Sequence, residues 1–144
     1  MRTAYRGLAL LICLGVLVQA AAIAFGWFDV IKDIEDGAVL DDDFEGNAGH
    51  AIHGMNGMMV MPLLGLLLLI SSFFTKVKGA SKWAAFVFLA IVLQVVMGIA
   101  SFSLPAIGVL HGINAFIIFG LALLAARRVT LASPTVAERE HAAV

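Results

Sequence analysis

The chain has 144 residues, of which 62% are hydrophobic and 13% charged, and a formal net charge of −1. With a mean hydropathy of +1.02, it lies far from soluble globular usage. It also carries no basic patch of the kind that binds nucleic acid.

The charges are segregated, which leaves four apolar segments, 8–28, 50–74, 82–104 and 105–126. Each has the roughly 20 residues that a helix needs to cross ~30 Å of hydrocarbon. None alternates apolar and polar residues as a barrel strand would, so each must be helical to satisfy its own backbone in lipid. The expected fold is all-α: one integral membrane four-helix bundle over residues 1–129, with an outer acidic loop at 29–49 and a cytoplasmic tail at 130–144. Eight of the nine Lys and Arg residues flank the same ends of these segments: Arg2, Arg6, Lys76, Lys78, Lys82, Arg127, Arg128 and Arg139. By the positive-inside rule those ends are cytoplasmic, as are both termini.

The first segment holds one strongly polar side chain, Gln19, and ends on Trp27 and Phe28, an aromatic interfacial anchor. Its start has the look of a signal peptide, but the apolar run is longer than a signal core. Cys13 is the only cysteine, so no disulfide can form within the chain. The loop that follows carries eight acids against Lys32, is densest at Asp41-Asp42-Asp43, and reads as a solvated loop that helps set topology.

The second segment begins near His50, with Asn47 as its cap. His50, His53 and Asn56 fall at i, i+3 and i+6 and share a face with Gly57. Pro62 removes a backbone donor inside the span, which predicts a kink. After a short basic turn, Trp83 anchors the third segment, whose one strongly polar residue is Gln94. The fourth opens on Val109-Leu110-His111-Gly112-Ile113-Asn114-Ala115, which echoes Ala51-Ile52-His53-Gly54-Met55-Asn56-Gly57.

In a chain with four histidines and three asparagines, that recurrence is informative. Gln19 and Gln94, the only glutamines, extend it to the odd-numbered segments. Segments one and two therefore read as duplicated in three and four, a parallel repeat with its axis along the membrane normal. Such an axis brings His53 and His111 to one depth near the outer leaflet. The polar tail, His141 included, reads as solvated.

Ionisable residues inside membrane helices point to function. Two imidazoles at one depth across a bundle suit a b-type heme, held by His53 and His111 with His50 in reserve. Gly57, Gly98 and Gly112 leave room for a flat macrocycle. Asn56 and Asn114 are candidates to receive the second ring nitrogen of each ligand.

A resemblance joins this reading. The second segment with its histidine, Leu93-Gln94-Val95-Val96-Met97-Gly98 in the third, and Val109-Leu110-His111 opening the fourth together resemble one half of heme A synthase. The likeness runs over about 60 residues and implies a four-helix bundle with His53 and His111 as axial ligands. That family's glutamate before the first histidine is His50 here, its following arginine is Gly54, and its outer-loop cysteine pair is missing. Oxygenation of a heme methyl group is therefore not carried over, and Lys32 alone is left outside for heme propionates. The chain is also similar to an uncharacterised family of small bacterial four-helix membrane proteins whose fourth helix opens Leu-His-x-x-Asn-Ala.

Two alternatives stand beside heme. Met55, Met58, Met59 and Met61 lie near His50 and His53, and thioether with imidazole suits copper, though the four point around the whole helix. A non-catalytic subunit would pack its glycine-rich faces against a partner membrane protein or a second copy. No phosphate loop, nucleophile elbow, CxxC or HExxH string occurs. The pattern reads as an electron-transfer or accessory protein of a bacterial plasma membrane rather than a stand-alone enzyme.

Overall fold

In a computed structural model, residues 1–41 and 43–131 are described; Asp42 and the tail from 132, with Arg139 and His141, lie outside them. Among the described residues all regular structure is helical. Helix α1 is Arg2–Glu35, α2 is Ala48–Ser72, α3 is Ala80–Ser101 and α4 is Ile107–Leu131. All four are long and apolar enough to cross a membrane.

The boundaries differ from the hydropathy limits where capping and proline decide them. Helix α1 runs on to Glu35, beyond Trp27 and Phe28, because nothing in Asp29–Glu35 breaks a helix and Lys32 pairs with Asp36 one turn on, at 2.7 Å. At 34 residues it is about 51 Å long, some 20 Å more than a bilayer core requires. Helix α2 starts two residues before His50, at Ala48. Asn47 caps it, accepting from the backbone N–H groups of Gly49 and His50 at 3.0 and 3.3 Å. Helix α4 begins at Ile107, two residues after Pro105.

The kink expected at Pro62 takes a specific form. Helix α2 is α-helical to Met55, opens into a π-helical turn over Asn56–Val60, and returns to α-helix at Met61. Pro62 cannot donate to the carbonyl four residues back, and its ring crowds that carbonyl. The chain answers by widening the preceding turn, so that Met61 N–H donates five residues back, to Asn56 O.

The helices stand in a ring. Helix α1 packs against α2 and α4, and α3 packs against the same two, which leaves α2 and α4 at opposite corners. The half of the bundle toward the Phe73–Gly79 turn is closed by Tyr5, Ile12, Leu68, Val87, Ile91 and Ile118, all almost fully buried. Alanines 9, 84, 122 and 125 between them are fully buried and let the backbones approach. Tyr5 reaches across to donate to Ala80 O at 3.1 Å, and Arg128 lies over the Trp83 ring at 4.9 Å.

The half toward the loop between α1 and α2 is looser. Buried side chains stop at Ile91 on α3 and begin only at Asn114 on α4, and none lies between Gly49 and Met61 on α2. The close contact there is α1 on α2. At Gly49 an added Cβ would sit 2.5 Å from Ala22 O and from Gly26 N, so only glycine allows this approach.

Candidate functional site

The site is built from four polar side chains at the end of the packed core that faces the loop between α1 and α2. Helix α2 carries His53 and Asn56, α4 carries His111 and Asn114, and the glutamines of α1 and α3 lie beside them. His53 Nδ1–H donates to the backbone carbonyl of Gln19 at 3.1 Å. His111 Nδ1–H donates to the backbone carbonyl of Gln94 at 3.0 Å. The two imidazoles face across the bundle, with ring centres 6.2 Å apart and planes tilted by 55°.

These bonds determine what the rings can do. A carbonyl only accepts, so the proton of each neutral imidazole lies on Nδ1 and the lone pair on Nε2. Neither Nε2 makes a hydrogen bond among the described residues. An imidazole anchored in this way through Nδ1 keeps an Nε2 lone pair, the kind of donor that borderline transition metals accept.

The second-nitrogen partners are therefore the glutamine carbonyls, not the asparagines expected from sequence. The asparagines bind elsewhere. Asn114 donates to Ala90 O and to Gln94 Oε1, both at 2.8 Å. Asn56 donates to Gly15 O at 3.4 Å. Gly15 precedes Gln19 by four residues, as Ala90 precedes Gln94, and in each half histidine and asparagine are three apart. One turn of helix thus presents two carbonyls to one turn of the next, twice over. This partnership was hard to read in the sequence because backbone carbonyls carry no residue signature; the shared depth of the two glutamines was the only trace.

The glycines serve different ends. Gly98 lies under the His111 ring, where a Cβ would come within 3.1 Å of Cε1, and Gly57 lies under the Gln19 amide at 2.8 Å. Both let a neighbouring side chain settle against the helix. Gly54 and Gly112, next to the histidines, face open space.

His50 turns toward α1. Its Nδ1 lies 3.3 Å from Asn47 N and 2.9 Å from Asn47 Oδ1, which completes a reciprocal cap with Asn47. Trp27 and Phe44 meet the ring edge-on at 5.1 and 6.0 Å. The methionines do not gather around the histidines: Met55, Met58 and Met59 are exposed while Met61 is buried against Gly15. No three His, Cys, Asp or Glu residues come together among the described residues. Lys32 is engaged by Asp36 on α1.

No protein-family model, no curated protein and no solved structure matches this chain.

Proposed function

We propose that the chain is a small b-type cytochrome of a bacterial inner membrane, holding one heme near the outer leaflet between His53 and His111. The observation that carries this reading is the facing pair of imidazoles, each tied through Nδ1 to a backbone carbonyl. The ring centres lie 6.2 Å apart, and His53 and His111 would be the residues that hold the heme iron. The sparse packing of the bundle around the two histidines suits a flat apolar group there. The resemblance to half of heme A synthase assigns the same two ligands.

A bound heme supplies one-electron redox chemistry. The chain's own residues hold and tune it. The Gln19 and Gln94 carbonyls fix the tautomer of each ligand and raise the basicity of its Nε2. Gly98 gives His111 its seat. The apolar helices around them keep the site in a low dielectric, which disfavours added charge. The role that follows is electron transfer, or heme binding in service of a partner oxidoreductase, which would be a membrane protein or a second copy of this chain.

We infer the membrane arrangement with it: four spans, both termini and the Lys76–Lys82 turn inside, and the acidic loop outside. The two His–Gln–Asn sets support a parallel duplication of α1–α2 as α3–α4.

The test is a reduced-minus-oxidised visible spectrum of the detergent-purified protein, with a pyridine hemochrome assay to count heme. We expect a sharp b-type alpha band at about one heme per chain and a Soret band lost in both His53→Ala and His111→Ala. A colourless protein after heme-replete expression would refute the cytochrome and leave an accessory subunit of a larger membrane assembly.

A further inference from the structure

The end of the bundle at the Phe73–Gly79 turn gathers cations, and no acid of the described chain stands among them. Every acidic residue of the described chain lies between Asp29 and Glu45, at the far end of α1 and in the loop after it. Two of the cations are held on aromatic rings. Arg128, near the end of α4, lies over Trp83 at 4.9 Å, and Lys82, in the first turn of α3, lies over Phe86 at 5.6 Å. The two rings meet edge-on at 6.0 Å, so both pairs belong to one cluster across the α3–α4 contact.

Lys82, Phe86 and Arg128 are exposed. Neither cation makes a hydrogen bond or an ion pair among the described residues. Stacking on a ring uses the face of a guanidinium and leaves the N–H groups along its edge to donate. It also holds the side chain in place, which lowers the entropy lost when that edge grips a phosphate. The depth is right for a headgroup. From Ile107 to Arg128, α4 rises about 32 Å, the thickness of a bilayer core. Leu124, one turn before Arg128, and Leu89, one turn after Phe86, are 45% and 62% exposed. Apolar surface therefore continues from the cations along the same faces of both helices.

We propose that this cluster binds an anionic phospholipid of the leaflet at this end. Arg128 and Lys82 take its phosphate, and its acyl chains lie along Leu124 and Leu89. The occupant follows from charge: two cations without a protein anion, set beside an apolar track, match a headgroup with net negative charge. A zwitterionic phospholipid carries its own cation, which competes with the two side chains for the phosphate, so the site selects against it. The proposal rests on the membrane arrangement inferred above and is independent of the heme.

Trp83 serves as the reporter. The chain has two tryptophans, so Trp27→Phe leaves Trp83 alone. The full chain with that substitution is reconstituted in vesicles of phosphatidylglycerol and phosphatidylcholine, with first one lipid and then the other dibrominated on its chains. Quenching of Trp83 gives the ratio of the two lipids beside it. We expect phosphatidylglycerol to be enriched roughly fivefold over its share of the bilayer. Lys82→Gln and Arg128→Gln together should bring that enrichment to about one. Arg6→Gln, which removes an exposed cation of α1 that lies over neither ring, should leave it unchanged.

Quenching by each lipid in proportion to its amount leaves the spans in place and overturns the site. Quenching by neither lipid shows that Trp83 does not sit in a bilayer, and overturns the membrane arrangement together with the site. An equal loss in Arg6→Gln would make the enrichment a property of diffuse charge and overturn this cluster as its cause. Loss of the enrichment on adding millimolar inorganic phosphate at constant ionic strength would make the site one for a soluble anion, against the proposal.

Discussion

At the scale of single residues, the two asparagines occupy matching positions and do unequal work. Asn114 makes two bonds of 2.8 Å to neighbouring-helix acceptors, and Asn56 makes one of 3.4 Å. Interhelical hydrogen bonds in membranes contribute roughly 0.6 kcal/mol on average and up to about 1.7. Removing Asn114 also leaves Gln94 Oε1 without its donor, a further cost. Asn114→Ala should therefore destabilise the bundle by about 1–2 kcal/mol and Asn56→Ala by under about 0.5. Reversible unfolding in mixed micelles measures both, and equal losses would contradict the geometry.

His53 and His111 were legible in the sequence as polar residues in apolar segments. Their carbonyl partners were not, because any residue at positions 19 and 94 offers a backbone oxygen. The reason the asparagines diverge was equally hidden: it lies in the π-helical turn, and Pro62 announces a disturbance without saying how the chain will absorb it.

At the scale of elements, the α1–α2 contact sets the depth of His53 against Gln19, and Gly49 is where the two backbones come closest. A side chain at Gly49 would run into the α1 backbone at Ala22 and Gly26, which, unlike a flexible side chain, cannot move aside. Gly54, five residues on, meets nothing within 4 Å. Gly49→Ala should cost about 1–3 kcal/mol, the usual penalty for overpacking. It should also lengthen the His53 anchor on Gln19 O, because α1 and α2 must part. Gly54→Ala should leave stability unchanged within about 0.5 kcal/mol. Thermal denaturation followed by helical circular dichroism compares the two variants directly, and an indistinguishable pair would show that Gly49 does not hold the helices together. The sequence marked both positions alike, as glycines beside histidines. Only the packing separates a glycine that admits a backbone from one that faces open space.

At the scale of the whole molecule, charge segregation predicts the orientation, and accessibility to a membrane-impermeant maleimide checks it. The native Cys13 is buried and should stay silent. In intact cells Ala38→Cys and Ser103→Cys should label from outside, while Lys78→Cys should label only after lysis. Labelling of Lys78→Cys in intact cells would invert the topology.

Four long apolar helices and the two histidine strings were determined by sequence alone, because helix length and backbone self-satisfaction are local properties. Tertiary structure decided which corner each helix takes, that α2 and α4 face each other across the ring, and which nitrogen of each imidazole is left free. It also decided that Gln19 keeps an unpaired oxygen while Gln94 does not. Those outcomes depend on how one helix meets another, through backbone carbonyls and glycine contacts, and residue identity along a single helix does not encode them.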